Sequence, residues 1–292
     1  MTVHRELVGV VVVHYGDPVP TAACLAALRA DRSACRRQVV VVDNAGDLSD
    51  GVADDATVVR PGRNLGFGAG ASAGVEALGP EPPAAIVVLN NDVEVGDGYL
   101  DAAVASVGVP GVALAGGPLY LDRVGGTLWY AGGRVAWLTG TVRQSRSPAA
   151  ARRPRDVSFI PGAAIAICSE AWQAVGGFDP SFFLFHEDLD LCLRLRRQGW
   201  RLRFEPAMAA VHRLGGVTGS ARRSPLYLEH MAATRLRPFR PLVYRVYLAG
   251  LHTGFVAVRA LAHRTVVGGK VGREAARALL RGHRQALATL LR

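Results

Sequence analysis

Three short apolar runs, each followed by polar residues, constrain the fold of this chain more than any other feature. They cover residues 7–13, 38–42 and 85–89, and valine is frequent in all of them. Unbroken runs of this kind are typical of strands buried on both faces of a parallel sheet. Helical patterns separate the runs, which predicts βαβ units and a mainly parallel α/β sheet.

The polar residues after the three predicted strands are His14, Tyr15, Asp43, Asn44, Asn90, Asn91 and Asp92. Ligands of open α/β sheets bind at the carboxyl ends of the strands, which lie along one edge. These side chains are therefore predicted to line one shared site. Aspartate and asparagine also form turns after strands, and this alternative stays open for each cluster taken singly.

The sequence pattern changes twice in the rest of the chain. Glycine pairs interrupt short aromatic runs within residues 111–155, such as 127–131 and 135–138, which predicts hairpins. The apolar stretch 159–167 predicts a strand. Residues 187–198 predict a helix that ends at Gly199. Beyond Pro225 the composition becomes helical and basic, so we predict an α/β domain of residues 1–224, which would carry the site, and a basic helical region of residues 225–292.

The formal net charge is +10, and Lys270 is the only lysine among the 34 basic residues. Half of the residues are hydrophobic, so the chain can bury a core and is not of the disordered class. A basic balance permits nucleic acid, an anionic membrane or a phosphorylated substrate as partner. An arginine-rich genome explains the same charge without any partner.

Carboxylates supply the candidate chemistry. Asp92 can hold a hard divalent cation, Mg²⁺ or Mn²⁺, that bridges phosphate oxygens. Glu187 and Asp188 open a predicted helix, where carboxylates also serve as helix caps. Aromatic residues lie just before them, and an apolar wall raises a carboxylate's proton affinity, as suits a general base. His212 joins the metal site if it reaches the ion of Asp92.

In their order along the chain, these segments resemble the family 2 glycosyltransferases, and within them the rhamnosyltransferase-like branch. The resemblance spans about residues 7 to 220. Its motifs are residues 40–44, 64–70, 89–92, 176–179 and 187–195, the pair Gly199-Trp200, and His212.

The resemblance implies a GT-A fold, a Rossmann-like mixed and mainly parallel sheet flanked by helices, here with a C-terminal helical appendage. It implies an inverting hexosyltransferase that moves a sugar from a nucleotide-diphosphate donor to an acceptor hydroxyl. A rhamnosyl donor, a glycan or lipid-linked acceptor, and a role in cell-wall, polysaccharide or glycolipid synthesis are the corresponding expectations.

Residue roles follow from the same resemblance. Asp43 matches the acidic residue that hydrogen-bonds the donor base, and Asn64 and Gly66 match the loop beside the nucleotide. Asp92 matches the last aspartate of a D-x-D-type element, in which Asn90 replaces the first. The remaining donor-side candidates are His14, Tyr15 and Asn91.

The catalytic base matches Asp188 within a pair that includes Glu187. His212 matches a histidine that contacts the metal or the diphosphate. These two positions and Asp92 lie far apart in the chain, so the prediction requires that folding bring them into one cleft.

The C-terminal region predicts two helices, residues 242–262 and 270–292. Arg245, His252 and Arg259 recur every seven residues and form one polar stripe on the first helix. Interfacial membrane contact and a hairpin packed on the catalytic domain or forming a dimer both fit, whereas spanning a bilayer would be costly. Oligomeric state stays open.

The first apolar run is too short for a signal-peptide core. A cytoplasmic protein, in peripheral contact with the inner face of the plasma membrane, is therefore expected.

Two other functions are weighed. A sugar-nucleotide nucleotidyltransferase would need a glycine-rich, arginine-bearing loop after the first strand, and residues 14–18 contain none. A nucleic-acid-binding protein is suggested by charge alone, since the sequence carries no recognised binding motif.

Overall fold

The computed structural model of the protein describes residues 6–49, 51–213 and 224–290. In chain order the strands are β1 (Leu7–His14), β2 (Arg36–Asp43), β3 (Thr57–Val59), β4 (Ala85–Asn90), β5 (Val93–Val95), β6 (Val112–Gly116), β7 (Leu119–Tyr120), β8 (Leu128–Tyr130), β9 (Gly133–Ala136), β10 (Thr141–Gln144), β11 (Arg155–Val157), β12 (Ala164–Ile167), β13 (Arg201–Phe204) and β14 (Ala210–His212). The α-helices are α1 (Pro18–Ala30), α2 (Phe67–Glu76), α3 (Tyr99–Val107), α4 (Ser169–Val175), α5 (Glu187–Arg197), α6 (Pro225–Thr234), α7 (Leu242–Ala262) and α8 (Gly269–Ala288).

An eight-stranded sheet forms the core, in the order β11-β13-β6-β12-β4-β1-β2-β3. Strands β3, β2, β1 and β4 are parallel, and β12 runs antiparallel to both β4 and β6. In register, His14 lies beside Asp43, and Val13 lies beside Asn90. The predicted polar strand ends therefore do share one edge of the sheet, and the predicted α/β class is confirmed.

Small residues let α2 approach the sheet closely. A Cβ added at Gly74 would overlap Val11 of β1 and Val42 of β2. The glycine-rich sequence of α2 thus follows from helix–sheet packing, because any larger side chain there would push the helix away from the two strands.

The structure of the middle region differs from the sequence prediction in two places. Residues 112–116, for which no element is predicted from the sequence, form β6, a fully buried strand of the central sheet. The apolar stretch 159–167 is a strand only from Ala164 onward, because Pro161 and Gly162 interrupt it. The predicted hairpin is present as β9 and β10.

The C-terminal helices pack on the catalytic region and on each other. His252 of α7 donates from Nε2 to the Thr139 carbonyl at 2.9 Å, and Arg245 donates to the Thr289 carbonyl at 2.5 Å. Arg245 and His252 of the polar stripe of α7 therefore face the protein, whereas Arg259 is exposed. The outward face of α7 is apolar and exposed: Leu242, Val243, Val246, Tyr247, Leu251, Phe255, Val258 and Leu261.

None of the helices in the three described ranges is long and apolar enough to cross a bilayer. The predicted end of the last helix at Arg292 lies outside these ranges, as do residues 1–5 of the chain.

Candidate active site

A second, smaller sheet brings Asp92 and His212 together. Its strand order is β5-β14-β7-β8, and Val93 of β5 pairs with His212 of β14. Asp92 immediately precedes β5, so its carboxylate lies beside the imidazole, with Oδ1 3.1 Å from Nε2 of His212. Both side chains are buried. Asp92 and His212, which the sequence analysis proposed as ligands of one metal ion although they lie 120 positions apart, are thus in contact.

The surroundings of this pair fit a divalent cation. Asn90 Nδ2 lies 3.5 Å from His212 Nε2, which places a third polar side chain at the site. The indole of Trp129 packs edge-on against the imidazole at 5.3 Å, and Nδ1 of His212 is buried with no hydrogen-bond partner among the described residues. One carboxylate and one imidazole in a partly apolar setting leave room for water and phosphate oxygens as further ligands.

Asp188 occupies the first turn of α5. Its carboxylate accepts hydrogen bonds from the backbone N–H of Gly162 at 3.1 Å and of Leu189 at 2.7 Å. Burial raises the pKa of Asp188, and these two N–H groups oppose that rise. The side chain is held in one position by the irregular segment before β12.

Glu187 differs from its neighbour. Burial and the charge of Asp188 raise the pKa of Glu187 to about 8, and its Oε2 has no partner among the described residues. When two adjacent carboxylates have different environments, their pKa values are pushed apart, so one group is protonated while the other is ionised. The backbone N–H groups favour ionisation of Asp188, so Asp188 is the member suited to accept a proton near neutral pH.

Backbone strain precedes these carboxylates. Phe185 and His186 both adopt left-handed conformations, with φ of 68° and 66°. Such conformations cost about 1–3 kcal/mol each for residues other than glycine, and they concentrate at functional sites. Here the strained pair turns the chain so that α5 begins at Glu187 with its first turn facing the cleft.

Two adjoining cavities form one cleft. The first, about 230 Å³, is lined by Asp188, His212, Trp129 and Gly162, among others. The second, about 150 Å³, is lined by Tyr15, Asn44, Asn64, Gly66, Asn91 and Asp92, among others. They share Phe67, Asn90 and Leu184. Folding therefore brings Asp92, Asp188 and His212 to a single cleft.

Asp43 and His14 lie behind the cavity wall. The Asp43 carboxylate accepts hydrogen bonds from the backbone N–H groups of Gly46, Asp47 and Leu48, at 2.8 to 3.3 Å. His14 bonds to Thr21 at 2.7 Å and to Asp47 at 3.0 Å. Both side chains hold the turn after β2, and neither is among the residues that line the two cavities. Their predicted donor contacts stay predictions.

Ligand atoms of His14, Asp43 and Asp47 lie within 4.8 Å of one another. This group is a second arrangement that could hold a metal ion. Its atoms already bond to protein partners, and none of its three residues lines the cleft, whereas Asp92 and His212 both do. The donor set at Asp92 is therefore the better fit.

Gly66 connects the nucleotide-side loop to the α5 side of the cleft. Its φ is +80°, and an added Cβ would overlap the carbonyl of Phe183. Asn44 fixes the same loop, since its amide donates to the Gly66 carbonyl at 3.0 Å and to Asn64 Oδ1 at 3.1 Å.

Gly66→Ala should therefore destabilise the protein more than Gly79→Ala. Gly79 has a similar φ of +88° with nothing within 4 Å of an added Cβ, so it controls for the backbone conformation alone. The overlap at Gly66 should add about 1–3 kcal/mol to the loss of unfolding free energy. Urea denaturation measures both variants, and equal losses would contradict the close approach of Phe183 and Gly66.

Sequence patterns did not single out several residues that line the cleft. Trp129, Tyr227 and Gly162 come from segments predicted as hairpin, tail and strand. Their contribution depends on long-range packing, and no local pattern marks it. Phe67 lay within a recognised motif, although no role was predicted for it.

A mixed sheet whose strand ends place the Asp92–His212 pair and the Asp188 carboxylate in one cleft is the arrangement expected of a GT-A glycosyltransferase. A family model described as "Glycosyltransferase like family 2" matches residues 4–237. The chain belongs to this family, and it is a glycosyltransferase that uses a nucleotide-sugar donor.

Similar proteins of known activity and structure are also glycosyltransferases. The chain is 27% identical over 216 residues to the N-acetylglucosaminyl-diphospho-decaprenol L-rhamnosyltransferase of Mycobacterium tuberculosis, covering 66% of this chain and 67% of that protein. Among solved structures, the mannosyltransferase PcManGT of Pyrobaculum calidifontis with GDP-Man and Mn²⁺ has a TM-score of 0.58 at 17% identity, covering 98% of this chain and 88% of that one. GalNAc-T7 with UDP, GalNAc and Mn²⁺ has a TM-score of 0.61 at 14% identity, covering 99% and 58%. The two structural matches indicate the fold.

Proposed function

We propose that this protein transfers a sugar, with inversion, from a nucleotide-diphosphate donor to an acceptor hydroxyl, with Asp188 as the base. The observation that carries this proposal is the single cleft that holds Asp92 and His212 beside Asp188. A one-step displacement needs a base on the acceptor side and charge stabilisation on the leaving-group side.

On the donor side, Asp92 and His212 would hold a divalent cation, Mg²⁺ or Mn²⁺, with Asn90 alongside. When bound, such a cation neutralises the charge that builds on the diphosphate leaving group. Tyr15, Asn64 and Asn91 line the adjoining cavity and would contact the nucleotide. The two structures cited above contain Mn²⁺, which supports a divalent cation here.

On the acceptor side, ionised Asp188 accepts the proton of the attacking hydroxyl. That oxygen forms a bond to the anomeric carbon on the face opposite the diphosphate, whose bond to the same carbon breaks. One displacement at the anomeric carbon inverts its configuration.

The rhamnosyl donor rests on the mycobacterial relative, which is named for rhamnosyl transfer to a diphospho-decaprenol-linked sugar. A role in cell-wall or polysaccharide synthesis rests on the same relative. The test is a panel of nucleotide sugars assayed for transfer and for metal-dependent hydrolysis. Metal-independent hydrolysis, or none with any donor, would contradict the proposed function.

We further propose that the exposed apolar face of α7 contacts an anionic membrane surface. Twelve arginine and lysine residues and two glutamates lie in residues 225–292, a difference of +10 that equals the net charge of the whole chain. An apolar helix face within a basic region is complementary to an anionic lipid surface. Such attachment would place the cleft near lipid-linked acceptors.

The variant Val243→Glu/Val258→Glu should lose binding to vesicles that contain phosphatidylglycerol. Both valines are highly exposed, at 84% and 70%, so the fold should tolerate the change. Burying a valine side chain is worth about 1.5 kcal/mol or more, so binding should fall at least about tenfold. Co-sedimentation measures it, with Val19→Glu, on α1 and 69% exposed, as the matched control. Equal binding by all three proteins, or self-association through α7 in sedimentation velocity, would contradict membrane contact.

A further inference from the structure

A larger cavity, about 420 Å³, lies between the catalytic carboxylates and the C-terminal helices. Glu187 and Asp188 line it from α5, and residues of α6, α7 and α8 line the opposite side. Asp188 also lines the cleft described above, so the base opens onto both spaces. The cavity therefore adjoins Asp188 without including Asp92 or His212 in its lining.

Two guanidinium groups line this cavity. Arg235, at the end of α6, is half-buried, and Arg259 comes from α7. Neither forms an ion pair with a carboxylate in the part of the chain that the structure describes. Arg235 rests over the ring of Phe255 at 5.2 Å. Burial and the charge of Arg259 lower the pKa of Arg235, as expected for cations that lack a nearby anion.

Three histidines, His186, His252 and His283, line the same cavity in neutral form. Burial, and then the charge of Arg235, lowers the pKa of His186 to about 3 and that of His252 to about 4. The same two causes lower the pKa of His283. These histidines add no positive charge, so the charge of this side of the cavity comes from the two arginines.

Hydrogen bonds fix the histidine tautomers. Thr234 and Thr253 donate their hydroxyl protons to backbone carbonyls, so they accept from His186 Nδ1 and from His283 Nε2. His252 donates from Nε2, and its Nδ1 is buried with no partner among the described residues. The lone pairs of His186 Nε2 and His283 Nδ1 can accept from a ligand hydroxyl, whereas Nδ1 of His252 is enclosed by protein atoms.

The remaining wall is apolar, with Leu228, Met231, Val256 and Leu279 contributing. Phe255 also lines the cavity and is 49% exposed on the outer face of α7. The apolar wall thus continues to the surface that we propose to meet lipid.

We propose that this cavity binds the acceptor and that Arg235, with Arg259, binds a phosphate group joined to the acceptor's apolar chain. An unpaired arginine pair in a half-buried cavity favours a phosphate, whose oxygens match the guanidinium donors. The histidine lone pairs suit sugar hydroxyls, and the apolar wall suits a hydrocarbon chain. The inference rests on the proposed function, since it assigns the acceptor of that reaction.

Calorimetry with geranyl diphosphate tests the inference on the full-length protein. EDTA is included so that a metal-dependent donor site does not bind the diphosphate. Arg235→Gln and Arg259→Gln should each weaken binding about tenfold or more, because each removes a charged hydrogen bond. Arg264→Gln removes the same charge from the segment after α7, outside the cavity, and should bind within about twofold of wild type. Inorganic pyrophosphate should bind more weakly than geranyl diphosphate, because it lacks the chain.

The inference is overturned if wild type does not bind geranyl diphosphate, if Arg259→Gln binds as wild type does, or if Arg264→Gln loses as much as the cavity variants. It is also overturned if inorganic pyrophosphate binds as tightly as geranyl diphosphate. Arg259 is exposed, so its variant keeps the test valid even if Arg235→Gln fails to fold.

Nucleoside diphosphate binding with Mn²⁺ is measured on the same proteins. If that binding persists while the cavity variants show no effect, the acceptor inference fails and the donor chemistry stands. If it is absent from wild type, the proposed function fails instead.

Discussion

Asp188→Asn is expected to reduce turnover by roughly 10²–10⁴-fold, the usual contribution of general-base assistance. The amide preserves the shape of the carboxylate, and its oxygen can accept from the N–H of Gly162, while its NH2 replaces the oxygen that accepts from the N–H of Leu189. The proposed nucleotide contacts Tyr15, Asn64 and Asn91 line the second cavity, which Asp188 does not line, so the dissociation constant of the donor should change less than about threefold. Steady-state transfer kinetics and donor calorimetry on the same preparation measure the two effects separately.

The neighbouring carboxylate provides the matched control. With a pKa near 8, Glu187 is mostly protonated at pH 7, and Glu187→Gln replaces a neutral group by another neutral group. Its turnover should fall less than tenfold. If Glu187→Gln loses as much as Asp188→Asn, the assignment of the base to Asp188 is wrong.

The pH profile offers an independent check on the same base. Asp188 must be ionised to accept a proton, and burial raises its pKa above the ordinary value. Wild-type turnover should therefore fall as pH decreases through that raised pKa. This acidic limb should be absent from the residual activity of Asp188→Asn, and its persistence there would assign the limb to another group.

Local patterns were enough to predict the parallel half of the sheet. The three apolar runs form β1, β2 and β4, and the predicted helix of residues 242–262 is observed as α7. In these segments, buried valines or an unbroken helical period decide the structure without reference to distant residues. Strand β6 was missed because its glycine-bounded, alanine-containing sequence carries no such signal.

Other features of the site depend on contacts between residues far apart in the sequence, so local patterns could not predict them. The contact of Asp92 with His212 depends on the pairing of β5 with β14, which closes a loop of more than one hundred residues. The polar stripe of α7 was visible in the sequence, but its period does not reveal which side meets the protein. The inward orientation of His252 follows from acceptors such as the Thr139 carbonyl, in the turn between β9 and β10. Similarly, His14 and Asp43 have the predicted position at strand ends, yet their side chains bond to the turn behind the cleft.

Asp92→Asn is expected to weaken the apparent affinity for Mn²⁺ by more than about tenfold and to reduce turnover by roughly 10²–10³-fold. The amide keeps the volume of the side chain but removes the negative charge that favours a divalent cation. Nucleoside diphosphate binding, titrated with Mn²⁺ by calorimetry, measures the metal affinity directly, and transfer kinetics at saturating Mn²⁺ measure the remaining loss.

Asp47→Asn distinguishes this site from the second group of potential ligands, because Asp47 belongs to the group with His14 and Asp43. Asp47 is half exposed and bonds to His14, so its amide variant should fold and should retain Mn²⁺ affinity within about twofold. The two variants make the same chemical change at two positions, and only Asp92 adjoins His212 in the cleft. Should Asp47→Asn lose Mn²⁺ affinity while Asp92→Asn keeps it, the cation would belong to the turn after β2. None of the residues of that group lines the cleft that holds Asp188, so the proposed one-step displacement would lose its metal site.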